Sequence, residues 1–174
     1  SGNVFMAGYS GSNAGIASGG FQNTFGGGFA DALLVKFDAA GNRLWATYYG
    51  GPGIDYGFSV ATDVAGNVYL AGSTTSTSGI ASGGFQNTFG GVQDAFLVKF
   101  DPSGNRLWAT YYGGTGDEML VNVNTHIATD ASGNVYLKGQ TNSITGIASG
   151  GFQNTYGGGL WDSFLVKFDP SGNR

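Results

Sequence analysis

The stretch GIASGGFQNTFGG, residues 15–27, decides the fold because it occurs three times in one chain. It returns letter for letter at 79–91, and at 146–158 with Tyr156 in place of a phenylalanine. The copies are offset by 64 and then 67 residues. A catalytic loop is normally needed once, whereas self-similarity at a nearly fixed interval indicates a repeated unit of architecture.

Other segments recur at the same interval and have the character of short β-strands. They are rich in aromatic and β-branched residues, they are bounded by Gly and Asp, and they lack the 3.6-residue apolar period of a helix. One unit therefore contains four strands, which in the second unit are YGFSVATD, NVYLAGS, AFLVKFD and RLWATYY. The copies are DALLVKFD (31–38), DAFLVKFD (94–101) and DSFLVKFD (162–169); GNRLWATYYGG (41–51 and 104–114); and GNVFMAG (2–8), GNVYLAG (66–72) and GNVYLKG (133–139).

The connections between strands carry a turn signal. Asp-Pro-Ser-Gly-Asn at 101–105 and 169–173 fits a type I turn that ends on a glycine with positive φ, so it predicts a hairpin with a glycine bulge. Variants of the same motif stand at 38–42, 63–67 and 130–134. A calcium loop is the alternative, but such a loop needs several oxygen ligands and these turns carry one carboxylate each.

Composition limits the classes of function. Lys and Arg total 7 among 174 residues and are scattered, and the net charge is −4, which disfavours binding to nucleic acid. No apolar run has the length of a membrane span. Cysteine is absent, which excludes disulfides and thiolate metal sites. Gly accounts for 34 residues and Pro for 3, a balance that favours many tight turns over a disordered chain.

The whole unit resembles the bacterial seven-bladed β-propeller repeats, abbreviated SBBP. The residues that carry the resemblance are YGFSVATDVAGNVYLAGST, then GGFQNTFGG, then DAFLVKFDPSGNRLWATYYGG. YGFSVATDVAGNVYLAG also looks like the first two strands of an NHL-type blade. The resemblance implies four-stranded antiparallel blades, with YGFSVATD (56–63) innermost and RLWATYY outermost, in secreted or cell-surface bacterial proteins. It implies no common activity and no cofactor.

The predicted fold class is therefore all-β: a β-propeller segment of about three blades, two of them incomplete. Blade 1 (1–51) contains strands two to four, blade 2 (52–114) is complete, and blade 3 (115–174) contains strands one to three. Three blades are too few to close a ring. We expect the open strand edges to pair with further blades of the same polypeptide, or with other copies in an oligomer or filament.

The repeated loop supplies the candidate binding residues. The favoured interpretation is that its amides satisfy backbone groups within the loop. The alternative is one weak glycan site per blade, in a multivalent lectin-like protein. The residues concerned are Phe21, Gln22, Asn23, Phe85, Gln86, Asn87, Phe152, Gln153 and Asn154.

Residues that break the repeat are further candidates. After Gly114 the third unit has TGDEMLVNVNTHIATD where the second has PGIDYGFSVATD after Gly51. This segment is four residues longer and contains Asp117, Glu118 and His126, the only histidine. Such a trio invites a metal or acid–base interpretation, but one His without a second ligand pair favours a longer connection between blades, and no metal site is predicted. Lys138 stands where blade 2 has an alanine, and we expect it on an inner or upper surface.

No nucleophile elbow or Walker-type loop is present in the sequence. We therefore predict a protein that is not an enzyme: an extracellular or cell-surface module with a scaffolding and protein-interaction role. A propeller enzyme whose site lies on other blades is the second alternative, after the glycan binder. Trp45 and Trp108 fit packing between blades better than sugar stacking.

Overall fold

A computed structural model describes residues 2–119 and 127–174, which form antiparallel sheets without any helix. No segment of this described part is a helix of the length and apolarity that crossing a membrane requires. The strands are β1 (Val4–Ser10), β2 (Asp31–Phe37), β3 (Arg43–Tyr49), β4 (Asp55–Thr62), β5 (Val68–Thr74), β6 (Asp94–Phe100), β7 (Arg106–Tyr112), β8 (Glu118–Met119), β9 (Ile127–Thr129), β10 (Val135–Thr141) and β11 (Asp162–Phe168).

The strands form three sheets in which chain neighbours are also sheet neighbours. Blade 1 has the order β1-β2-β3 and blade 2 has the order β4-β5-β6-β7. In blade 3, β11 pairs with β10, and both β8 and β9 pair with the other side of β10. The predicted all-β architecture of four-stranded antiparallel blades is confirmed, with RLWATYY outermost.

The four additional residues of the third unit do not lengthen the connection between blades, so that expectation is wrong. Met119 pairs with Gln140 as Tyr56 pairs with Ser73, and Ile127 pairs with Leu137 as Val60 pairs with Leu70. Both ends of the first strand of blade 3 are thus in register with those of blade 2. The extra residues fall between β8 and β9, within 120–126, outside the described residues.

Two apolar cores lie between blades. The first joins Leu34 and Tyr49 of blade 1 to residues of blade 2 that include Leu70 and Phe96. The second joins Leu97 of blade 2 and its neighbours to blade 3. Blade 2 is therefore a single sheet whose two faces are buried by the blades on either side, which is how a propeller stabilises thin sheets.

One tyrosine anchors each of these cores. Tyr49, at the end of β3, places its ring 5.5 Å from Phe96 and 5.8 Å from Phe100 in the next blade. Its hydroxyl donates to the carbonyl of Ile80. The last strand of blade 2 repeats these contacts one blade further along, through Tyr112, Phe164, Phe168 and Ile147.

The Asp-x-x-Gly-Asn motifs form the predicted turns. In the turn at 101–105, Asp101 N–H donates to the Asn105 carbonyl at 2.9 Å, and Gly104 N–H donates to the Asp101 carbonyl at 3.0 Å. The carboxylate of Asp101 accepts from Asn105 N–H and from its side-chain amide. Both carboxylate oxygens of Asp101 accept hydrogen bonds from within the turn, so the structure supports a turn and not a calcium loop. Equivalent bonds are present at 38–42, 63–67, 130–134 and 169–173.

The turns also contact the preceding blade. Trp45 Nε1 and Lys36 Nζ both donate to the carbonyl of Pro102, at 3.2 and 2.8 Å. Gly104 lies against the Trp45 ring: a Cβ added there would be 3.1 Å from Cδ2. Trp45 and Trp108 are both 5% exposed and lie between blades, which agrees with the interpretation that they pack between blades and do not stack on sugars. At the next junction the same contacts join Trp108 and Lys99 to Pro170.

Two glycine variants separate backbone strain from packing between blades. Gly41 and Gly104 occupy equivalent turn positions at φ 85° and 89°, but a Cβ on Gly41 meets nothing within 4 Å. Gly41→Ala should cost about 1 kcal/mol through left-handed strain alone. Gly104→Ala should cost about 1 kcal/mol more, because its methyl displaces Trp45. Urea unfolding measures both, and equal costs would show that the turn does not pack on the neighbouring blade.

Candidate functional site

The repeated loop covers the outer edge of blade 1 and of blade 2. In blade 1, Ser18 and Ala46 exchange two backbone hydrogen bonds of 2.9 Å, and Tyr48 N–H donates to the Gln22 carbonyl at 3.0 Å. The loop thus acts as a short additional strand along β3. An open strand edge is a template for unwanted pairing, so the first task of the loop is to close it. The loop of blade 2 makes the same bonds to β7 through Ser82, Ala109, Gln86 and Tyr111.

The glutamine of each of the first two loops connects its loop to the sheet. Gln22 Oε1 accepts from Gly50 N–H at 3.2 Å, and Nε2 donates to the Thr24 carbonyl at 3.1 Å and to Asp31 Oδ2 at 3.3 Å. One of these partners, the Thr24 carbonyl, is a backbone group within the loop, as expected; the other two lie outside the loop, at the ends of β3 and β2. The contacts recur in blade 2 among Gln86, Gly113, Thr88 and Asp94.

The asparagine beside it closes a tight bend of the loop. Asn23 Nδ2 donates to the Gly20 carbonyl at 3.0 Å, and Asn87 Nδ2 donates to the Gly84 carbonyl at 2.8 Å. Both asparagines are exposed. Their side-chain nitrogens are nevertheless engaged inside the loop.

The phenylalanine of the loop contacts the following blade. The Arg106 guanidinium lies 4.4 Å from the centre of the Phe21 ring, and Arg174 lies 4.5 Å from that of Phe85. These are cation–π contacts of the usual geometry. One face of each ring is therefore occupied by the protein itself, which leaves less aromatic surface for a sugar than the sequence alone suggests.

The third loop has the same letters but different surroundings. Phe152 is fully exposed, and Gln153 and Asn154 bond only within the loop among the described residues, to Thr155 and Gly151. Between this loop and β11 lies a cavity of about 170 Å³. Its lining includes Gln153, Tyr156, Asp162, Phe164 and Leu165.

Of the other candidates, His126 lies outside the described residues. Lys138 is exposed on β10, the second strand of blade 3, where it pairs with Leu165 of β11. Asp117 exchanges hydrogen bonds with Asn142. Within residues 2–119 and 127–174, no group of three or more His, Cys, Asp and Glu side chains is placed to hold a metal ion.

Sequence reasoning missed a pair of buried carboxylates at each blade junction. Asp31 faces Asp55 between blades 1 and 2, and Asp94 faces Glu118 between blades 2 and 3. All four residues are fully buried. Glu118 is thus the counterpart of Asp55. The recurrence of an acidic residue at this position of the repeat is the sequence signal that could have revealed the pair. The facing of the two acids depends on how blades stack, which no single repeat reveals.

Hydrogen bonds and burial act in opposite directions on these acids. Burial raises the pKa of Asp31 to about 6; the Gly26 N–H opposes this rise and the Asp55 charge adds to it. Burial likewise raises the pKa of Asp94 to about 6, against the Gly90 N–H and with the charge of Glu118.

Comparison with known proteins agrees with this architecture. Residues 44–79 match the SBBP family model, described as a beta-propeller repeat, so the SBBP resemblance is confirmed there. The chain is 29% identical over 148 residues to the Regulatory protein FlaEY of Caulobacter vibrioides, which covers 84% of this chain and 15% of that protein. It is 28% identical over 131 residues to an uncharacterised WD repeat-containing protein of Acanthamoeba polyphaga mimivirus, covering 69% and 9%. The chain thus spans a small part of either relative.

Gln86 and Gln153 form a matched pair for testing the role of the loop. Gln86→Ala should destabilise the chain by about 1–2 kcal/mol, because it leaves the partly buried Gly113 N–H without its acceptor. Gln153→Ala should cost less than about 0.5 kcal/mol, since that side chain is exposed and bonds only to its own loop. The measurement is urea unfolding, and a Gln86→Ala cost no larger than that of the control would contradict the assigned role.

Proposed function

We propose that this chain is a structural and protein-interaction module of a bacterial extracellular or cell-surface protein, and that it forms part of a larger propeller or assembly. The observation that carries the proposal is the cavity between β11 and the third loop, which we call the slot. The slot has the position that the outermost strand occupies in blades 1 and 2. Its natural occupant is a strand of the Arg-Leu-Trp-Ala-Thr-Tyr-Tyr type.

Both walls of the slot are built to bind such a strand. In blade 2, β6 pairs with β7 on one side, and the loop bonds to Ala109 and Tyr111 on the other side. In blade 3, β11 pairs with β10 alone among the described residues. Backbone groups are therefore available on β11 and on the loop, which is the arrangement that accepts an added strand.

The outward surfaces of the two terminal blades support the same proposal. We call Val4 and Met6 on β1 the front face, and Lys138, Leu165 and Lys167 on blade 3 the rear face. Val4 and Met6 are 58% and 50% exposed, and Leu165 is 73% exposed. The residues of blade 2 at these places are Val68, Leu70 and Leu97, which are fully buried against neighbouring blades.

The cation–π contacts are similarly incomplete at both ends. The rings of Phe21 and Phe85 are each covered by an arginine of the next blade. The ring of Phe152, which holds the same position in the third loop, is fully exposed. Arg43 occupies the position of Arg106 at the other end and donates to the Ile16 carbonyl at 2.8 Å. The two ends are thus complementary to blades of the same type, whether these belong to the same polypeptide or to other copies.

The comparisons and the composition are compatible with this role. A module that binds other chains through repeated blades suits a protein named as regulatory, such as the Caulobacter relative. The cellular location and the scaffolding role rest on the SBBP resemblance. Glycan binding is a weaker candidate, because the amide nitrogens of the first two loops and one face of each phenylalanine ring are already occupied.

A C-terminal extension tests whether the slot accepts a fourth strand. Residues 107–114, LWATYYGG, are appended after Arg174, which occupies the place of Arg106. The extended chain should be stabilised by about 2 kcal/mol, because the added strand pairs with β11 and the counterpart of Tyr111, a fully buried side chain in blade 2, is buried with it. The matched control carries proline instead of the alanine in the extension, since proline cannot donate to the ladder.

Self-association of the unextended chain is the second observable. Residues 1–174 should associate in light scattering at tens of micromolar, because open apolar edges invite strand addition. The extension should reduce this association, and the proline control should not. A clean 17.8 kDa monomer with cooperative melting, unaffected by the extension, would contradict the proposal.

A further inference from the structure

The carboxylate pairs at the blade junctions have an arrangement that packing alone does not require. At the first junction, a Cβ built on Gly50 would lie 2.6 Å from Asp31 Oδ1 and 2.8 Å from Asp55 Oδ2, so both acids converge on the same glycine. At the second junction, Asp94 and Glu118 converge on Gly113 in the same way. Glycine is required at both places because any side chain would collide with the acids.

Three of the four oxygens at the first junction have donors. Asp55 accepts from Thr74 on Oδ1, and from Gly51 N–H and Ser76 on Oδ2, at 2.9 and 2.8 Å. Asp31 Oδ2 accepts from Gly26 N–H at 2.6 Å. Asp31 Oδ1 is buried and has no partner among the described residues.

The second junction repeats this pattern with a longer acid. Glu118 accepts from Thr141 at 2.6 Å and from Gly114 N–H at 2.9 Å. Asp94 Oδ2 accepts from Gly90 N–H at 2.8 Å, and Asp94 Oδ1 is again buried without a partner. An unpartnered ionised oxygen beside a second carboxylate is costly in a buried site, and a proton on that oxygen removes the cost.

We propose that a proton is held at each blade junction, on Asp31 between blades 1 and 2 and on Asp94 between blades 2 and 3, so that mild acid strengthens the packing of neighbouring blades. The proton comes from solvent and binds a carboxyl oxygen; no other bond forms or breaks. The junction then contains one neutral acid and one carboxylate instead of two facing negative charges.

Of the groups that face each acid, the second carboxylate favours the proton, whereas the glutamine amide opposes it because it donates a hydrogen bond to the carboxylate. Around Asp31 they are the Asp55 carboxylate, the Tyr48 hydroxyl and the Gln22 amide. Around Asp94 they are the Glu118 carboxylate, the Tyr111 hydroxyl and the Gln86 amide. In the described part of the chain, the recorded ion pair joins Lys99 to Asp63 at 3.7 Å and reaches neither site.

The direction of the pH effect follows from the raised pKa values. The pKa of both acids is about 6 in the folded chain, against 3.8 for an ordinary aspartate. Between these values the folded state binds protons that the unfolded state has released, so stability rises as pH falls. The turn aspartates Asp38, Asp130 and Asp169 have the opposite effect on stability. The hydrogen bond from the asparagine amide lowers their pKa, so the stability that they contribute to the fold is lost only as the pH falls below about 4.

The test compares the melting temperature of the whole chain and its variants at about pH 7.5 and about pH 5. Asp94→Asn imitates the protonated acid, so it should raise Tm by about 3 °C or more at the higher pH, with a smaller gain at the lower pH. Asp162→Asn is the matched control: Asp162 holds the same strand position in blade 3, with no second carboxylate facing it among the described residues. That variant should keep the wild-type pH slope, and Asp31→Asn with Asp94→Asn should flatten it.

Three outcomes overturn the proposal. One is an Asp94→Asn variant whose Tm difference from the wild type is the same at both pH values. Another is a rise in Tm with calcium that Asp94→Asn abolishes, because a cation and not a proton would then neutralise the pair. If the variants fail to fold, carbon-13 NMR titration of the wild-type carboxyl groups decides: a carboxyl titrating near pH 6 supports the proposal, and complete ionisation by about pH 5 contradicts it.

Discussion

The outermost strand of each blade is the constraint on which the rest of the structure depends. In blade 1 this strand, β3, pairs with β2 on one side and with the repeated loop on the other. Its last tyrosine, Tyr49, fills the core of the next blade. The sheet, the repeated loop and the neighbouring blade therefore all contact the seven residues of β3. Removal of that strand would open all three contacts together.

This dependence explains why the loop is repeated almost without change. Its serine and glutamine backbone groups must match the ladder of the strand, its glutamine amide must reach the following Gly-Gly pair, and its phenylalanine must meet an arginine one blade away. Charged pairs contribute little to these contacts. Neighbouring blades are joined by aromatic packing and by hydrogen bonds to backbone carbonyls, which suits a chain with only 10% charged residues.

The fold could be predicted from the sequence because its determinants are local. Strand patterning, the Asp-x-x-Gly-Asn turns and the repeat interval are each visible within one unit, and the structure confirms the strand order that they imply. The carboxylate pairs could not be found in this way, since Asp94 and Glu118 meet only when two blades stack. The position of the four extra residues also escaped prediction: alignment of the repeats shows an insertion, but only strand register places it after Met119.

The proposed function requires that blade 3 accept a further strand of the Arg-Leu-Trp-Ala-Thr-Tyr-Tyr type beside β11, and amide hydrogen exchange can test this requirement. The 174-residue chain is compared with the same chain carrying the eight-residue extension after Arg174. In the unextended chain, the amides of 162–168 should exchange much faster than those of 94–100, the equivalent strand of blade 2. In the extended chain the two strands should be protected alike. Equal protection of both strands in the unextended chain would contradict the account.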